Sequence, residues 1–207
     1  MKIISCGNSN RFNVHKNHLC YSTKHKIDYE FYLNKNTINP YFLKIDCILD
    51  SFSTHDNVLY LDNDAFFYDF QWDCKNIFDC SDKLFFATKS PKTKFTSSPL
   101  FNSGVMFIKK SSKTIEYLKS CKELSDSYLK QNWRHKYYGR FLGNDQPRLI
   151  FNLDSYLKGQ YELFDYPGFN ARPEAFSFQQ VYPIVHFAGP HKSKKIKKFQ
   201  EKFNVKL

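Results

Sequence analysis

Val58-Leu59-Tyr60-Leu61-Asp62-Asn63-Asp64-Ala65-Phe66-Phe67 is the stretch that decides how the chain is read. An apolar run enters two carboxylates one residue apart, and a second apolar run follows. Hydrophobic residues in succession read as a strand covered on both faces, because such a strand loses the apolar/polar alternation. Asp and Asn are poor strand residues, so the chain is expected to leave the sheet at about Asp62. In open α/β sheets ligands gather beyond the carboxyl ends of strands. Two carboxylates there suit a hard divalent cation, which takes oxygen ligands and can in turn hold phosphate oxygens. A solvated loop with two acids would look the same in isolation, so the surrounding chain has to decide.

On the N-terminal side, residues 2–6 read as a strand, followed by a Gly7-Asn8-Ser9-Asn10 turn. A helix is expected from about Phe12 to Lys24 and a second strand over residues 27–33. After a loop over residues 34–39, Pro40 suits the first turn of a helix that turns Phe42, Ile45, Leu49 and Phe52 to one side. This strand-helix-strand-helix-strand order predicts a parallel sheet with right-handed crossovers. On the C-terminal side, residues 69–82 read as irregular and 84–88 as a strand. Residues 89–99 read as a loop, 100–108 as a strand interrupted by Gly104, and 112–131 as a helix with Ile115, Leu118 and Cys121 inward. Asn144 or Asp145 can cap a further helix with Pro147 in its first turn. Residues 161–164 and 181–187 are the last strand-like segments. The fold class is α/β, with a mostly parallel central sheet flanked by helices.

The chain has 207 residues, 42% of them hydrophobic, with 22 Phe and 14 Tyr, which fits one globular domain and excludes a disordered chain. Its six cysteines are scattered, without a Cys-x-x-Cys pair, and are expected to be buried, reduced thiols. No apolar run reaches the length of a membrane span, so a soluble cytoplasmic protein is expected. The formal net charge of +11 calls for an anionic partner, whether nucleotide phosphates, nucleic acid or a membrane surface. The lysines do not interleave with aromatics as a stacking platform would, which argues against nucleic acid. Much of the charge lies in a basic tail, residues 192–207, set apart from a main domain of residues 1–191. Within the tail Ile196, Phe199 and Phe203 fall at i, i+3 and i+7 among lysines. That spacing fits an interfacial helix giving peripheral membrane contact, and equally a solvated helix docked by the same three residues.

Several stretches together resemble the nucleotide-sugar glycosyltransferases of the GT-A fold, most closely family 34, the galactosyl- and mannosyl-transferase group, with motifs similar to family 8. Asn17-His18-x-x-Tyr21-x-x-x-His25-x-x-Asp28-Tyr29 looks like the early helix and second strand of family 34, and Leu61-Asp62-Asn63-Asp64-Ala65 like its Asp-x-Asp motif. Phe101-Asn102-Ser103-Gly104-Val105-Met106-Phe107-Ile108 resembles the Asn-(Ser/Thr/Ala)-Gly strand shared with family 8. Asn144-Asp145-Gln146 is similar to the (Asp/Glu)-Gln pair, and Val185-His186-Phe187-Ala188-Gly189-x-x-Lys192 to the closing His-x-x-Gly-x-x-Lys. These motifs fall in family order along nearly the whole chain.

The resemblance implies a hexose transferred from a UDP-sugar donor to a saccharide or glycoprotein acceptor, with a manganese or magnesium ion as cofactor and no nucleic-acid partner. It implies that Asp62, Asp64 and His186 hold the metal, while Gly189 and Lys192 hold the diphosphate. Asn102, Asp145 and Gln146 would face the donor sugar and the reacting carbon. Ser5, Cys6 and Asn8 would lie against the uridine, with Asn63 and Gly104 also on the donor side. No residue stands out as a catalytic base, which fits a retaining transfer. The Trp that often follows the closing Lys in family 8 is replaced by Ser193-Lys194. Two other readings compete. A haloacid-dehalogenase-like phosphatase also has Asp-x-Asp after an apolar strand, but no acidic pair follows in the second half. A non-catalytic nucleotide or nucleic-acid binder would account for the charge alone.

Overall fold

The computed structural model of the protein describes residues 1–9, 11–34, 40–92, 98–134, 139 and 144–207. The chain opens with β1 (Lys2–Gly7), α1 (Val14–His25) and β2 (Asp28–Leu33), then α2 (Pro40–Ser51), β3 (Asn57–Asp62) and β4 (Ala65–Phe67). There follow α3 (Asn76–Asp79), β5 (Phe85–Lys89), β6 (Phe101–Lys109), α4 (Ser112–Glu123) and α5 (Asp126–Asn132). The chain closes with α6 (Asp145–Leu157), β7 (Tyr161–Phe164), β8 (Asn170–Ala171), β9 (Ile184–His186) and α7 (Lys192–Phe203).

Six strands form the central sheet in the order β2-β1-β3-β6-β5-β7. Pairings β1/β2, β1/β3 and β5/β7 are parallel, while β6 runs antiparallel to both of its neighbours. The period of two divides the strands between two cores. Ile4, Val58, Tyr60, Met106 and Ile108 meet Ile45, Ile48, Leu118, Leu149 and Leu153 on one face. Ile3, Leu59, Leu61, Val105 and Phe107 meet Tyr21, Ile27 and Phe78 on the other. A helix-connected parallel sheet was the expectation, and β6 departs from it. No helix lies among the described residues between β5 and β6, and neighbouring parallel strands need a crossover, usually helical, of a dozen or more residues.

Three further details differ from the sequence expectation. The helix expected over 112–131 is two helices, because Leu124 turns extended and the Ser125 hydroxyl accepts from Tyr128 N–H to start α5. The stretch 69–82 contains the single turn α3. Cys20 and Cys80 are exposed, while the other four cysteines are buried, and all six are free thiols. Within the loops expected over 34–39 and 89–99, and the turn over 7–10, residues 35–39, 93–97 and 10 lie outside the described residues.

A small second sheet, β4-β9-β8, sits beside the carboxyl ends of β1 and β3 and builds a third core with α7. Side chains of α1 grip β4. Asn17 exchanges both of its amide hydrogen bonds with the Phe67 backbone, at 2.8 and 3.0 Å. His18 is fully buried, with its Nδ1 2.8 Å from the Ser5 hydroxyl and its Nε2 2.7 Å from the Ala65 carbonyl. The Tyr21 ring stacks on Phe67, its hydroxyl donates to the Trp72 carbonyl, and His25 Nε2 lies 3.0 Å from the Phe70 carbonyl. The Asn17/His18/Tyr21/His25 pattern is therefore a clamp on the segment that follows the Asp pair. Helix α7 docks: Ile196 and Phe199 are buried, and Phe199 packs edge-on against Tyr68, Phe176 and Phe187. The apolar stripe of the tail is covered by protein, which favours the docked reading over the interfacial one. No helix among the described residues is long and apolar enough to cross a membrane.

Truncation of Phe199 to Ala should cost about 3–5 kcal/mol of stability, read by chemical denaturation; a change within about 0.5 kcal/mol, the usual range for a surface site, would mean that α7 is not docked. Burial pushes the His18 imidazole down to about 4, so the folded protein keeps it neutral. Between the ordinary histidine value and that pH the unfolded chain takes up a proton that the folded chain refuses. The stabilisation is thus complete above about pH 6.5 and lost as pH falls to about 4, worth about 3 kcal/mol. His18→Gln should be less stable at pH 7 and should lose that part of the acid sensitivity in denaturant melts at pH 7 and 4.5.

Candidate active site

Strand β3 ends at Asp62, the Asn63-Asp64 turn follows, and β4 pairs antiparallel with β9 so that Ala65 stands opposite His186. Two residues more than 120 positions apart are thereby brought to one spot. His186 Nε2 lies 3.3 Å from Asp64 Oδ1 and 3.8 Å from Asp62 Oδ2, and ligand atoms of all three residues lie within 4.8 Å of one another.

The tautomer of His186 follows from a chain of bonds that begins at a backbone amide. Gly104 N–H donates to Asn102 Oδ1 at 2.9 Å, which fixes that atom as an oxygen. Asn102 Oδ1 then accepts from Asn170 Nδ2 at 3.2 Å, which turns Asn170 Oδ1 to His186 Nδ1 at 3.1 Å. His186 therefore carries its proton on Nδ1 and turns the Nε2 lone pair toward the two carboxylates. Three electron-rich groups facing one point need a positive charge between them, as in a histidine-carboxylate metal site with an oriented outer amide. Asp64 Oδ2 is buried without a well-angled hydrogen bond, and the Lys192 ammonium, 2.5 Å away, supplies its counter-charge. Burial would raise the Asp64 pKa, but the positive charge that His186, when protonated, and Lys192 bring to it holds it well below the usual carboxylate range.

Gly104 lies against this cluster. On β6 the ladder with β5 jumps from Met106 to Asn102, and pairing with β3 stops at Val105, so the strand bulges at Ser103–Gly104. A Cβ at Gly104 would stand 2.1 Å from His186 Cε1 and 2.9 Å from Asp62 Oδ2. The missing side chain leaves the cradle open. The donor set of two carboxylates and one neutral imidazole suits manganese better than magnesium, and these residues fit such an ion.

Beside the cluster a pocket of about 220 Å³ is walled by Cys6, Asn8, Lys44, Tyr60, Asp62 and Asp145, among others. Lys44 is its buried centre. Its ammonium lies 2.7 Å from Asp145 Oδ2, 3.2 Å from Asp62 Oδ1 and 3.0 Å from the Ser103 carbonyl, and 4.6 Å from the centre of the Tyr60 ring. Burial lowers its pKa, but the Asp145 and Asp62 carboxylates outweigh that and raise it above the ordinary lysine value. The Tyr60 hydroxyl donates to Asp62 Oδ1 at 2.9 Å. Asn144 caps α6, and Gln146 Oε1 accepts from Ser103 N–H at 3.1 Å, which ties the start of α6 to the bulge. A second chamber of about 340 Å³ shares Asn144 and Gln146 with the first and adds Asn102 and Gly189. Gly189, at φ +86°, and Lys192 also border a third depression at the start of α7.

Of the residues singled out in the sequence, Asp62, Asp64, Gly104, His186 and Lys192 form the charged cluster. Cys6, Asn8, Asp145 and Gln146 line the first pocket. Asn63 occupies the turn, with its amide against Gly7 so closely that a Cβ there would meet it at 2.5 Å. Asn102 orients Asn170 and also borders the second chamber. Ser5 stands apart: it is fully buried, bonded to His18, and does not line the pocket. Lys44, Tyr60, Ser103 and Asn170 were missed. A lysine between Leu43 and Ile45, four residues before Ile48 on an apolar helix face, was the available signal for Lys44. The period of two, which puts Tyr60 on the same strand face as Asp62, was the signal for Tyr60.

No protein-family model and no curated protein matches the chain. Among solved structures it is similar to a glycosyltransferase involved in glycosylation of the major capsid of PBCV-1, at TM-score 0.73 and 14% identity over 97% of this chain and 98% of that one. It is also similar to the glycosyltransferase GlyE of Streptococcus pneumoniae TIGR4, at TM-score 0.60 and 15% identity, spanning 96% of this chain and 59% of that one. The galactosyltransferase LgtC, solved with donor and acceptor sugar analogues, aligns at TM-score 0.53 and 14% identity over 99% and 97% of the two chains. The protein has the GT-A fold.

Gly104→Ala should weaken manganese binding at least tenfold, measured by calorimetry, with the circular dichroism spectrum unchanged. Undiminished manganese affinity in that variant would show that the cradle does not hold the ion.

Proposed function

We propose that the protein is a metal-dependent glycosyltransferase that moves a hexose from a nucleotide sugar, UDP-linked, to a saccharide or glycoprotein acceptor with retention of configuration. The observation that carries this reading is the convergence of Asp62, Asp64 and His186 on one side of a pocket whose other wall is Lys44 and Asp145, within a GT-A fold. The neighbouring structures named as glycosyltransferases support it, one of them solved with donor and acceptor sugar analogues. The phosphatase alternative gains nothing from this fold. In this reading residues 1–191 carry the transferase domain, the basic helix of residues 192–207 packs into it and brings Lys192 to Asp64, and the protein works in the cytoplasm.

The first pocket takes the donor and the second chamber the acceptor, with Gln146 on the wall between them. Asp62, Asp64 and His186 would hold a manganese ion, which when bound would supply Lewis-acid stabilisation to the departing diphosphate. Lys192 stands ready to add a point charge to the same phosphates, and Gly189 gives them a close backbone approach. In the transfer the bond from the anomeric carbon to the diphosphate breaks and a bond from the acceptor hydroxyl oxygen forms. The hydroxyl proton passes to a departing phosphate oxygen. Each of the three carboxylates here already has a cationic partner, Lys44 for Asp62 and Asp145 and Lys192 for Asp64, so none is an evident free base. Lys44 holds Asp145 where it can accept from sugar hydroxyls.

Calorimetric titration should show UDP binding that requires manganese. Asp64→Asn should weaken it and reduce turnover by more than about a hundredfold, the loss usual for an essential electrostatic group. The fold should survive, since β4 is held by α1 through Ala65 and Phe67 rather than by the Asp64 side chain. Failure of UDP to bind with or without manganese would refute the reading, and an inverted anomer in the product's NMR spectrum would refute retention.

A further inference from the structure

We infer that the acceptor is an anionic saccharide, bearing a carboxylate or a phosphate, and that Arg172 selects it. This rests on the transferase reading above. Among the described residues that wall the second chamber, Arg172 is the only charged one; Pro91, Pro99, Asn102, Gln146 and Gly189 supply most of the rest of the lining. The chamber's volume of about 340 Å³ falls in the range of small-molecule clefts, roughly 300–1,000 Å³.

Arg172 is exposed and has no carboxylate partner among the described residues; the hydrogen bonds it makes are through its backbone, its N–H donating to the Tyr166 hydroxyl at 3.3 Å and its carbonyl accepting from Ala175 N–H at 3.0 Å. Glu174, two residues on, faces a different depression, beside Lys195, Lys198 and Lys202 of α7. Asp165 is exposed and paired with Lys89. An unpaired guanidinium at the wall of a pocket without acids is matched by an oxyanion, because its planar fork fits carboxylate and phosphate oxygens in pairs.

Its position is also well defined. Arg172 directly follows β8, and Asn170 of that strand holds the His186 tautomer. The arginine therefore belongs to the framework that sets the metal ligands, and a charged group bound to it would lie at a fixed offset from the reacting carbon. A neutral sugar would leave the guanidinium hydrated and gain nothing from it, whereas the overall charge of +11 favours anionic partners in general.

The test is binding of three probes to the full chain in UDP and manganese: methyl glucoside, methyl glucuronide and glucose 6-phosphate, each followed by calorimetry. The wild type should bind at least one anionic probe about tenfold more tightly than the glucoside, and the preference should shrink at high salt. Comparison of the glucuronide with the phosphate identifies which oxyanion is favoured. Arg172→Met should abolish the preference while leaving UDP affinity unchanged, and Arg172→Lys should restore part of it. Equal binding of all three probes, no binding of any, or a preference that persists in Arg172→Met would each overturn the inference while UDP still binds. A chain that binds no UDP would instead remove the transferase reading and this inference with it.

Discussion

One buried ammonium holds the cleft together. Lys44 comes from α2, on the helical layer, and reaches a point where β3 contributes Asp62, the bulge of β6 contributes the Ser103 carbonyl, and α6 contributes Asp145. Without that charge, two carboxylates would share a poorly solvated wall, and like charges so placed cannot both stay ionised cheaply. A buried ion pair is weak evidence for stability, because desolvation offsets most of the attraction, but losing one partner strands the other. The value of Lys44 is therefore positional. It fixes the two acids in opposite roles, Asp62 turned to the cation cradle and Asp145 to the pocket.

The same logic of fixed orientation runs through uncharged groups. A backbone amide at Gly104 dictates the face of Asn102, Asn102 dictates that of Asn170, and Asn170 dictates which nitrogen of His186 is free. Each step uses a group whose donor or acceptor character admits one arrangement. On the opposite side of β4, Asn17 and His18 perform an equivalent service for the backbone. The Asp64 carboxylate thus lies between two clamps, one acting on main chain and one on its histidine neighbour.

Much of this was legible in the sequence, and the limits have physical causes. Strands such as β3 and helices such as α2 announce themselves through apolar runs or one-sided periodicity long enough to be read. Strands β4 and β8 have three and two residues, too few for any pattern, and they exist through pairing with β9, which falls inside the segment read over residues 181–187. The direction of β6 depends on where a loop returns, which local composition does not encode. The break before α5 lies in a Leu124-Ser125 step that helix periodicity alone passes over. In the site, acids next to a strand end are visible because they violate strand preference. Lys44 leaves only a faint mark, one lysine on an apolar helix face, and Asn170 leaves none, since an asparagine on a two-residue strand is ordinary until the fold buries it. Ser5 shows the converse, since its place at the end of the first strand suggested the pocket while the strand's alternation turned it to His18.

The sheet β4-β9-β8 also sets the order in which the site comes into being. Its outer strand β4 is made early, and the α1 clamp that holds it is already present by then. Its middle strand, β9, is synthesised last of the strands among the described residues, and β4 and β8 pair with it and not with each other. As a chain grows from its N-terminus, the carboxylates of Asp62 and Asp64 can be in place while the histidine that faces them does not yet exist. Pairing across more than a hundred residues is also among the slower events of folding. Closure of the cleft is thus late in sequence order: a chain that stops short of β9 carries both carboxylates and lacks the third ligand.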